Sequence, residues 1–481
     1  MTPEEFDPNL HSAVAELAPD AHESGYESES LDEENRLKPE FVRRVRDALD
    51  RGERDAVYDL VEPLHPADIA DLFELLPNDE RADFARAITD LMGPEVFAEL
   101  NDHVRELMVE ALPAEAVADI AEQLETDDAV AMIEDLDAED REAVLAEMEP
   151  EDRAAIETAL AFPEESAGRL MSRDFIAVPE HMSVGGLIDY LRENQQLATE
   201  FWEVFVVDAY HHPLGSCALS WILRAPRSVA LADVMKRDQS LIPVDMDQEE
   251  VALRFQKYAL ISAAVVDDAG RLVGQITVDD VVHIIQEEAG EDVLLLSGAG
   301  EGDINEPLHL TFRTRVLWLL VNLPTAMLAA TIVSLFDAQI ARYAVLATLM
   351  GIVTGMGGNA GTQTLAVVVR ALATNQLTSA NTVRVIFREF RIAAANGVSL
   401  GLLIALGSYV IWHSAPLAMV FGAAILINNM VAGLAGVFVP VTLDRMKIDP
   451  ATSSAVFVTM CTDCMGFLSF LGLAKLAGVG G

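Results

Sequence analysis

The segment ATSSAVFVTMCTDCMGFLSFLGLAKLA, residues 451–477, is long and apolar enough to cross a membrane as a helix, yet it contains one carboxylate, Asp463. An ionised group at membrane depth costs several kcal/mol, so it usually faces water or protein and marks a functional site. The surrounding hydroxyls of Thr459 and Thr462 suit a cation better than an anion. The alternative is a buried Asp that accepts hydrogen bonds from hydroxyl groups or from a partner helix.

Charge divides the chain into two parts. Nine basic and five acidic residues follow Thr314, which gives that part a net charge of +4. Because the whole chain has a net charge of −46, residues 1–314 have a net charge of −50. Such an acidic region repels nucleic acid, so we exclude nucleic acid as a partner. The region attracts cations. Two causes are open, a sensor of divalent ions or adaptation of the surface to a salty cytoplasm. We expect both, with salt adaptation supplying most of the charge, because only five of the basic residues are Lys.

Cysteine content and the first residues bear on the compartment. Cys217, Cys461 and Cys464 are too few for a disulfide framework. The C-x-x-C pair lies in an apolar helix without a second ligand pair, so we interpret both residues as small core residues. The start, MTPEEFDPNL, lacks the basic and apolar runs of a signal peptide, so we expect the N-terminus to remain cytoplasmic.

The acidic region begins with polar residues 1–36, which we expect to be a disordered tail. Residues 37–163 contain recurring helical fragments, LHPADIADLFELLP, LPAEAVADIAEQL and MEPEDRAAIETAL. Each starts with Pro and acids, which favour a first helical turn. The recurrence predicts a superhelical array of α-helices, with an irregular helical bundle as the alternative.

A different pattern occupies residues 164–230 and 231–292. FVVD at 205–208 and AVVDDAGRLVGQITVDDVV at 264–282 predict strand, turn and strand, and each follows a helical segment. The two units therefore form a tandem α+β repeat. They resemble a pair of cystathionine-β-synthase (CBS) domains, modules that associate through their sheets and often sense adenosine nucleotides.

The resemblance to CBS domains implies a nucleotide site in the second unit only. There Gly274, Thr277 and Asp280 match G-x-x-T-x-x-D, and the hydroxyl and carboxylate could contact the ribose of ATP. The first unit has Ala218 and Trp221 at the matching positions, so it lacks both groups.

Apolar segments predict five membrane spans near 315–336, 341–371, 393–412, 416–442 and 452–477. With a cytoplasmic N-terminus, five spans place the C-terminus outside. The distribution of Arg and Lys agrees, since eight (313, 315, 370, 384, 388, 391, 445 and 447) fall on the inner side and two (342 and 475) outside.

The second span contains GMGGNAGTQTLAVVVRALA at 355–373. Its small residues allow close helix approach, and Asn359, Thr362 and Gln363 offer neutral oxygen ligands. Neutral oxygens near one carboxylate suit a hard cation that keeps part of its water shell, as Mg²⁺ does. The alternative is helix packing stabilised by polar amides.

The order of these segments, together with GGNAGTQ (357–363), DRMKIDPA (444–451) and TDCMGFLSFLGLA (462–474), resembles the MgtE family of magnesium channels. The resemblance implies a pore formed by two protomers, with hydrated Mg²⁺ held at Asp463 and near Asn359. It further implies that the pore is lined by the flanking small and polar residues, Gly357, Gly358, Thr362, Gln363, Thr459 and Thr462.

The same resemblance implies that Mg²⁺ closes the channel by occupying acidic cytoplasmic sites. The matching acids are Asp127, Asp247, Glu249, Asp280, Glu288, Glu291 and Asp292. Ala131, Ala259 and His283 stand where acids are expected, which implies either weaker binding or ligands recruited elsewhere, such as Asp128, Glu134 or Asp135. For any single acid in so acidic a chain, the alternative is an ordinary solvated surface. Residues 293–313, the expected plug helix between sensor and pore, contain Gly and Pro and predict a shorter or broken helix.

The sequence thus predicts a multidomain protein: a superhelical N domain, tandem CBS domains, and a five-helix α transmembrane domain at 314–481. The expected function is a homodimeric channel of the cytoplasmic (inner) membrane that admits Mg²⁺ down its electrochemical gradient. The alternatives are a membrane-anchored ion sensor without conduction, and an importer of Co²⁺, Ni²⁺ or Zn²⁺. A Walker loop, a phosphorylatable DKTG and a catalytic triad are absent from the sequence, which argues against an ATP-driven pump or another enzyme.

Overall fold

The computed structural model describes residues 30–110, 112–134, 136–194, 197, 201–237, 240–297 and 305–479. The chain divides into two compact units between Thr158 and Ala159. Most of the predicted disordered tail, residues 1–29, and the alternative ligand Asp135 lie outside the described residues.

The last residues of the predicted tail are ordered. The Asp32 carboxylate accepts hydrogen bonds from the backbone N–H groups of Glu34 and Arg36, both at 2.9 Å. Leu31 pairs with Leu37 across this turn. The prediction of disorder is therefore wrong for residues 30–36, because Asp32 closes a turn that the composition did not indicate.

The first unit consists of short helices. Proline occupies the first turn of several of them, where a missing N–H is tolerated. Its core includes the rings of Phe73 and Phe84, whose centroids lie 4.6 Å apart. A superhelical arrangement stays a prediction. The helices are α1 (Pro39–Asp50), α2 (Arg54–Val61), α3 (Pro66–Leu75), α4 (Asn78–Ala87), α5 (Pro94–Glu99), α6 (Asp102–Glu110), α7 (Ala114–Ala121), α8 (Thr126–Glu134), α9 (Ala138–Glu147) and α10 (Pro150–Ala159), with a 3₁₀ turn at Thr89–Leu91.

The second unit starts with two three-stranded sheets of the same topology. In each, a short first strand pairs in parallel with the second, which pairs antiparallel with the third. The register shifts at the corresponding place in both, between Val206 and Val207 and between Val265 and Val266. This confirms the tandem repeat. The strands are β1 (Ala177–Pro179), β2 (Glu203–Val207), β3 (Pro213–Ala218), β4 (Ile242–Pro243), β5 (Ser262–Val266) and β6 (Leu272–Thr277).

The two sheets pack against each other, as expected for this pair of modules. Phe205 and Val207 from β2 form one buried cluster with Ala264 and Leu272 from the second sheet. Their helices are α11 (Val184–Glu193), α12 (Leu219–Arg224), α13 (Leu231–Val234), α14 (Gln248–Tyr258) and α15 (Val278–Ser297). Helix α15 continues beyond the sheet toward the membrane helices.

The membrane region follows as α16 (Leu308–Ser334), α17 (Asp337–Arg342), α18 (Val345–Ala373), α19 (Thr382–Trp412), α20 (Ala415–Arg445) and α21 (Pro450–Leu476). Among the described residues, four helices are long and apolar enough to be candidate spans, in α16, α19, α20 and α21. Helix α18 is as long, but its glycines and polar residues lower its hydropathy. The five-span count therefore stays a prediction.

The third span begins earlier than predicted. We expected it to start near residue 393, whereas α19 starts at Thr382 and includes the charged residues Arg384, Arg388 and Glu389. These residues lowered the hydropathy without interrupting the helix. The side chain of Glu389 is buried and forms an ion pair with Arg388 at 3.3 Å.

Candidate ion pathway and acidic junction

Helices α18 and α21 contact each other closely at the two predicted pore motifs. A Cβ atom at Gly361 would lie 2.6 Å from Cγ1 of Val458, and one at Gly466 would lie 2.9 Å from Cγ2 of Thr354. These two contacts fix the relative depth of the helices. Asp463, between Val458 and Gly466, therefore lies at the depth of the segment between Thr354 and Gly361, beside GGNAGTQ.

The Asp463 side chain stands midway along α21, the same number of residues from either end of the helix. It is half-buried, and none of the described residues forms a hydrogen bond or ion pair with it. Within the described residues of the protomer, Asp463 forms no ion pair with a basic side chain. Such a contact would prevent the carboxylate from acting as an ion ligand. The carboxylate thus remains able to interact with a cation.

Four of the predicted pore-lining or ion-binding side chains are exposed in the protomer, namely Asn359, Thr362, Gln363 and Thr459. The hydroxyl of Thr362 donates to the backbone oxygens of Gly358 and Asn359, at 3.1 and 3.0 Å. The oxygen of this exposed hydroxyl can still accept a hydrogen bond. Polar groups exposed at membrane depth need water or another polar surface, because lipid tails cannot satisfy them.

Two other predicted pore-lining residues lie in helix packing instead. Thr462 is completely buried, and its hydroxyl donates to the backbone oxygen of Thr459 at 3.0 Å. Gly357 is covered by Asn428, whose Nδ2 atom would be 2.0 Å from a Cβ at that glycine. Gly358 is open, since a Cβ there would meet nothing within 4 Å. Sequence alone did not reveal which face of each helix is covered by its neighbours.

Five of the six predicted metal ligands in the second CBS unit form a cluster with two further acids at α14 and α15, whereas the sixth, Asp280, accepts a hydrogen bond from Thr277 at the start of α15 and is not part of it. We call it the acidic junction and define it as Glu165, Asp247, Glu249, Glu288, Glu291, Asp292 and Asp449. Asp247 caps α14 by accepting a hydrogen bond from the backbone N–H of Glu249 at 3.0 Å. Glu288 accepts from Nε2 of Gln248 at 2.7 Å. Helices α14 and α15 are thus held together at the junction.

The junction carries uncompensated negative charge. Burial and then the neighbouring Glu288, Asp247, Asp292 and Asp449 raise the pKa of Glu249 to about 7. Burial, together with neighbouring acids, likewise raises the pKa of Glu291 to about 7. Burial is the larger cause of both shifts and repulsion between the carboxylates is the smaller, and both favour neutralisation by a proton or by a bound cation.

Asp449 is the functional candidate that sequence reasoning missed. It precedes α21 and caps that helix by accepting hydrogen bonds from the backbone N–H groups of Ala451 and Thr452, both at 2.9 Å. Its charge also raises the pKa of Asp292, after the larger effect of burial. The dipeptide Asp449–Pro450 before a long apolar helix indicates the helix cap. It does not indicate that Asp449 lies near the acids of α15.

The acids of the junction do not form a preformed cage. Within the described ranges, no three His, Cys, Asp or Glu side chains are grouped closely enough to hold a metal ion. They are nevertheless near enough to raise one another's pKa. This spacing fits a cation that keeps part of its water shell and bridges carboxylates through water, which is the usual behaviour of Mg²⁺.

Helix α15 reaches the pore helices just beyond the junction. Leu295 and Leu296, in its last turn, pack against a buried cluster that includes Val458 and Leu365. A cavity of 740 Å³ lies next to them and is also lined by Thr459. The helical part of the predicted plug therefore extends to Ser297, and α16 begins at Leu308. Residues 298–304, where the Gly-rich break was predicted, lie outside the described residues.

The predicted ligand of the first unit, Asp127, lies half-buried in the first turn of α8. At Ala131, where an acid was expected, the backbone oxygen accepts from Nη2 of Arg105 at 3.4 Å. Ala259 has a left-handed backbone at the end of α14, and His283 is exposed on α15.

The predicted nucleotide-binding residues bond to each other. The Thr277 hydroxyl donates to Oδ2 of Asp280 at 2.6 Å, and the Thr277 backbone N–H donates to the same oxygen at 3.2 Å. This arrangement caps the start of α15. Burial raises the pKa of Asp280, and the hydrogen bonds from Thr277 oppose that shift. Both groups therefore have a structural role in the absence of a nucleotide.

Three family models match separate parts of the chain. They are the MgtE divalent cation transporter (residues 350–473), the MgtE intracellular N domain (64–165) and the CBS domain (231–287). A crystal structure of the cytosolic domain of the Mg²⁺ channel MgtE in complex with ATP aligns with half of this chain and 99% of its own, at 28% identity and a TM-score of 0.47.

Curated relatives match between two thirds and nine tenths of the chain. The magnesium transporter MgtE of Enterococcus faecalis is 30% identical over 67% of this chain and 71% of its own length. Those of Thermus thermophilus and Bacillus subtilis are 29% and 26% identical over 92% of this chain and 99% and 98% of theirs. The identity to these relatives, together with the three family models, shows that this chain belongs to the MgtE family of divalent cation transporters.

Proposed function

We propose that this protein is a homodimeric channel that conducts Mg²⁺ into the cytoplasm and closes when Mg²⁺ fills the acidic junction. The observation that carries this proposal is the position of Asp463. It is a carboxylate at mid-membrane depth, beside GGNAGTQ and without a hydrogen-bond or ion-pair partner among the described residues. One carboxylate per chain cannot replace the water ligands of Mg²⁺, so the ion passes in hydrated form.

The position of Asp449 supports the proposed topology. Its charge acts on Glu249 and Asp292, which belong to the module that precedes α16. This supports placing the beginnings of α16 and α21 on the same side of the membrane, an arrangement that would need an even number of crossings before α21. Helices α16, α19 and α20 provide three crossings, so α18 supplies the fourth. With α21 as the fifth, the proposed C-terminus lies on the side opposite the CBS module.

A second copy of the chain accounts for the exposed polar face of α18 and α21. Asn359, Gln363 and Thr459 would be costly to expose to lipid. A twofold arrangement would place the same face of a partner protomer opposite, so that the two faces enclose a wet pathway with two copies of Asp463. The proposed ligands of this pathway are carboxylate and neutral oxygens, which favour Mg²⁺ over softer ions.

Gating would act through α15. At low Mg²⁺ the carboxylates of the junction repel one another, which separates α15 from Asp449 at the start of α21. Bound Mg²⁺ neutralises this repulsion and stabilises the compact arrangement, in which Leu295 and Leu296 pack beside Val458. The ion thus shifts an open–closed equilibrium by binding the closed state more tightly. Asp127, with Asp128 or Glu134, would add a site in the first unit.

Nucleotide binding is a secondary part of the proposal. ATP could bind the second CBS cleft if Thr277 and Asp280 exchanged their mutual hydrogen bonds for contacts with a ribose. Such an exchange would link nucleotide binding to the start of α15, the helix that ends at the pore.

Measurement of ion flux tests the function. The purified full-length protein in liposomes is expected to take up Mg²⁺ along its gradient, with Co²⁺ and Ca²⁺ as competing ions. Uptake should fall when Mg²⁺ is raised on the side of the CBS module. Binding of Mg²⁺ without flux would instead identify a silent sensor, and preferential uptake of Co²⁺ would identify an importer of another metal.

A further inference from the structure

The amide of Asn428 lies where three membrane helices meet. This residue of α20 is completely buried, and its Nδ2 atom donates to the backbone oxygen of Val353 on α18 at 2.8 Å. A Cβ atom at Gly357 on α18 would be 2.0 Å from Nδ2, and one at Gly466 on α21 would be 2.9 Å from it. The amide therefore fills a space that only a glycine on each neighbouring helix leaves open.

This contact lies at the depth of the proposed ion pathway. Gly466 follows Asp463 by one helical turn, and Gly357 precedes Asn359 by two residues in the other motif. Residues about one turn apart lie on neighbouring parts of a helix surface, so a shift at Gly466 moves Asp463 with it. The size and hydrogen bond of Asn428, together with the direct contact between Gly466 and Thr354, consequently set the distance between α18 and α21 at this level.

The second polar atom of the amide has no evident structural purpose. Oδ1 of Asn428 is buried and has no hydrogen-bond partner among the described residues. An unsatisfied buried acceptor destabilises a fold, and an apolar side chain of similar size would avoid that cost. At this position the cost accompanies a hydrogen bond to the neighbouring helix α18, so the distinctive contribution of the amide is the link between the two helices.

We propose that Asn428 is a positioning residue of the ion pathway, which fixes the separation and register of α18 and α21 and thereby sets the ion preference at Asp463. The inference rests on the proposed function. Asn428 does not contact the ion itself; it acts through the positions of Gly357 and Gly466.

The neighbouring Asn429 provides a matched control. It is buried to a similar extent, and its Oδ1 also lacks a partner in the described part of the chain. Its Nδ2 atom, however, donates to the backbone oxygen of Ile425 in the same helix, at 2.9 Å. Removal of either amide disturbs α20, but only removal of Asn428 breaks the link between α18 and α20.

The first test compares Asn428→Ala with Asn429→Ala in the full-length protein in liposomes. The measured quantity is the ratio of Mg²⁺ to Ca²⁺ flux, which a general loss of folded protein does not change. N428A should lower this ratio about fivefold, the factor that corresponds to one net hydrogen bond. N429A should leave it unchanged. A conducting N428A protein with the wild-type ratio would refute the inference, whereas a wild type that conducts nothing would refute the proposed function.

The second test does not depend on conduction. Gly357→Ala introduces a Cβ against Asn428 and should lower the thermal midpoint of the detergent-solubilised protein. Adding N428A to G357A makes room for the new methyl group, so the double variant should be more stable than the sum of the two single effects predicts. Strictly additive effects would show that Asn428 does not hold the two helices apart, and would overturn the inference even if N428A alone folded poorly.

Discussion

The carboxylate of Asp449 caps the first turn of α21, and its charge also helps to raise the pKa of Glu249 on α14 of the second CBS unit. One side chain thus belongs both to a pore helix and to the acidic junction. In the proposed gating, an ion or proton that neutralises the junction would act directly on the beginning of the helix that contains Asp463. This relationship would connect the CBS module to the proposed ion pathway without a long chain of intermediate contacts.

The raised pKa values of Glu249 and Glu291 predict an unusual pH dependence of stability. The folded protein retains protons on both groups up to about pH 7, whereas the unfolded chain releases them near the ordinary value of 4.5. Their contribution to stability is therefore greatest at low pH and is lost as pH rises from about 4.5 to 7. Thermal unfolding of the full-length protein in detergent, without Mg²⁺, measures this effect.

The double variant Glu249→Gln/Glu291→Gln provides the control, because the many other titrating groups are common to both proteins. The wild type should lose stability relative to this variant as pH rises through the window. Saturating Mg²⁺ should remove most of the difference, since the ion replaces the protons. A wild type that gained stability relative to the variant over the same range would show that the junction is not a site of charge repulsion.

The pore assignment predicts that Asp463→Ala abolishes Mg²⁺ uptake in a magnesium-starved host while the protein still inserts in the membrane. Asp463→Asn keeps the volume of the side chain and should also fail, because the charge is what attracts the ion. Asp444→Ala removes an exposed acid at the end of α20 and should retain uptake. Normal uptake by D463A would remove Asp463 from the pathway.

The packing of α15 predicts a variant that resists closure. Leu295→Ser/Leu296→Ser removes apolar contacts with the cluster around Val458, so the closed state loses stability relative to the open state. The Mg²⁺ concentration for half-inhibition of flux should rise about tenfold, which corresponds to about 1.4 kcal/mol. Val293→Ser, at an exposed position of the same helix, is the control. Equal inhibition in all three proteins would place the gate elsewhere.

Patterns that repeat over short distances were predictable from the sequence. The two strand–turn–strand units and the apolar helices are recognisable by periodicity and length, and one acid in an apolar segment singled out Asp463. The short strands β1 and β4 were missed, because two or three residues carry too little periodicity. The start of α19 was missed because charged residues extend a helix without contributing to hydropathy.

Features that depend on contacts between distant residues were not predictable. Nothing near Asp449 in the sequence indicates that Glu249 lies close to it. The interior position of Thr462 depends on how α21 is rotated against α18, which a uniformly apolar helix does not reveal. Asn428 was overlooked for the same reason, since an amide in an apolar helix does not identify the glycines that surround it.

Close packing of α19 and α20 predicts opposite effects of alanine at two glycines of the same helix. A Cβ at Gly401 would lie 2.7 Å from the backbone oxygen of Gly422, which cannot move without displacing α20. Gly401→Ala should therefore destabilise the protein by about 1–3 kcal/mol, the usual cost of overpacking. A Cβ at Gly407 would meet nothing within 4 Å, so Gly407→Ala should be neutral or stabilise the helix by about 0.5–1 kcal/mol. Thermal unfolding of both variants in detergent compares them directly. A G401A protein as stable as G407A would mean that α19 and α20 are farther apart than this contact requires, and that small residues are not what brings these two helices together.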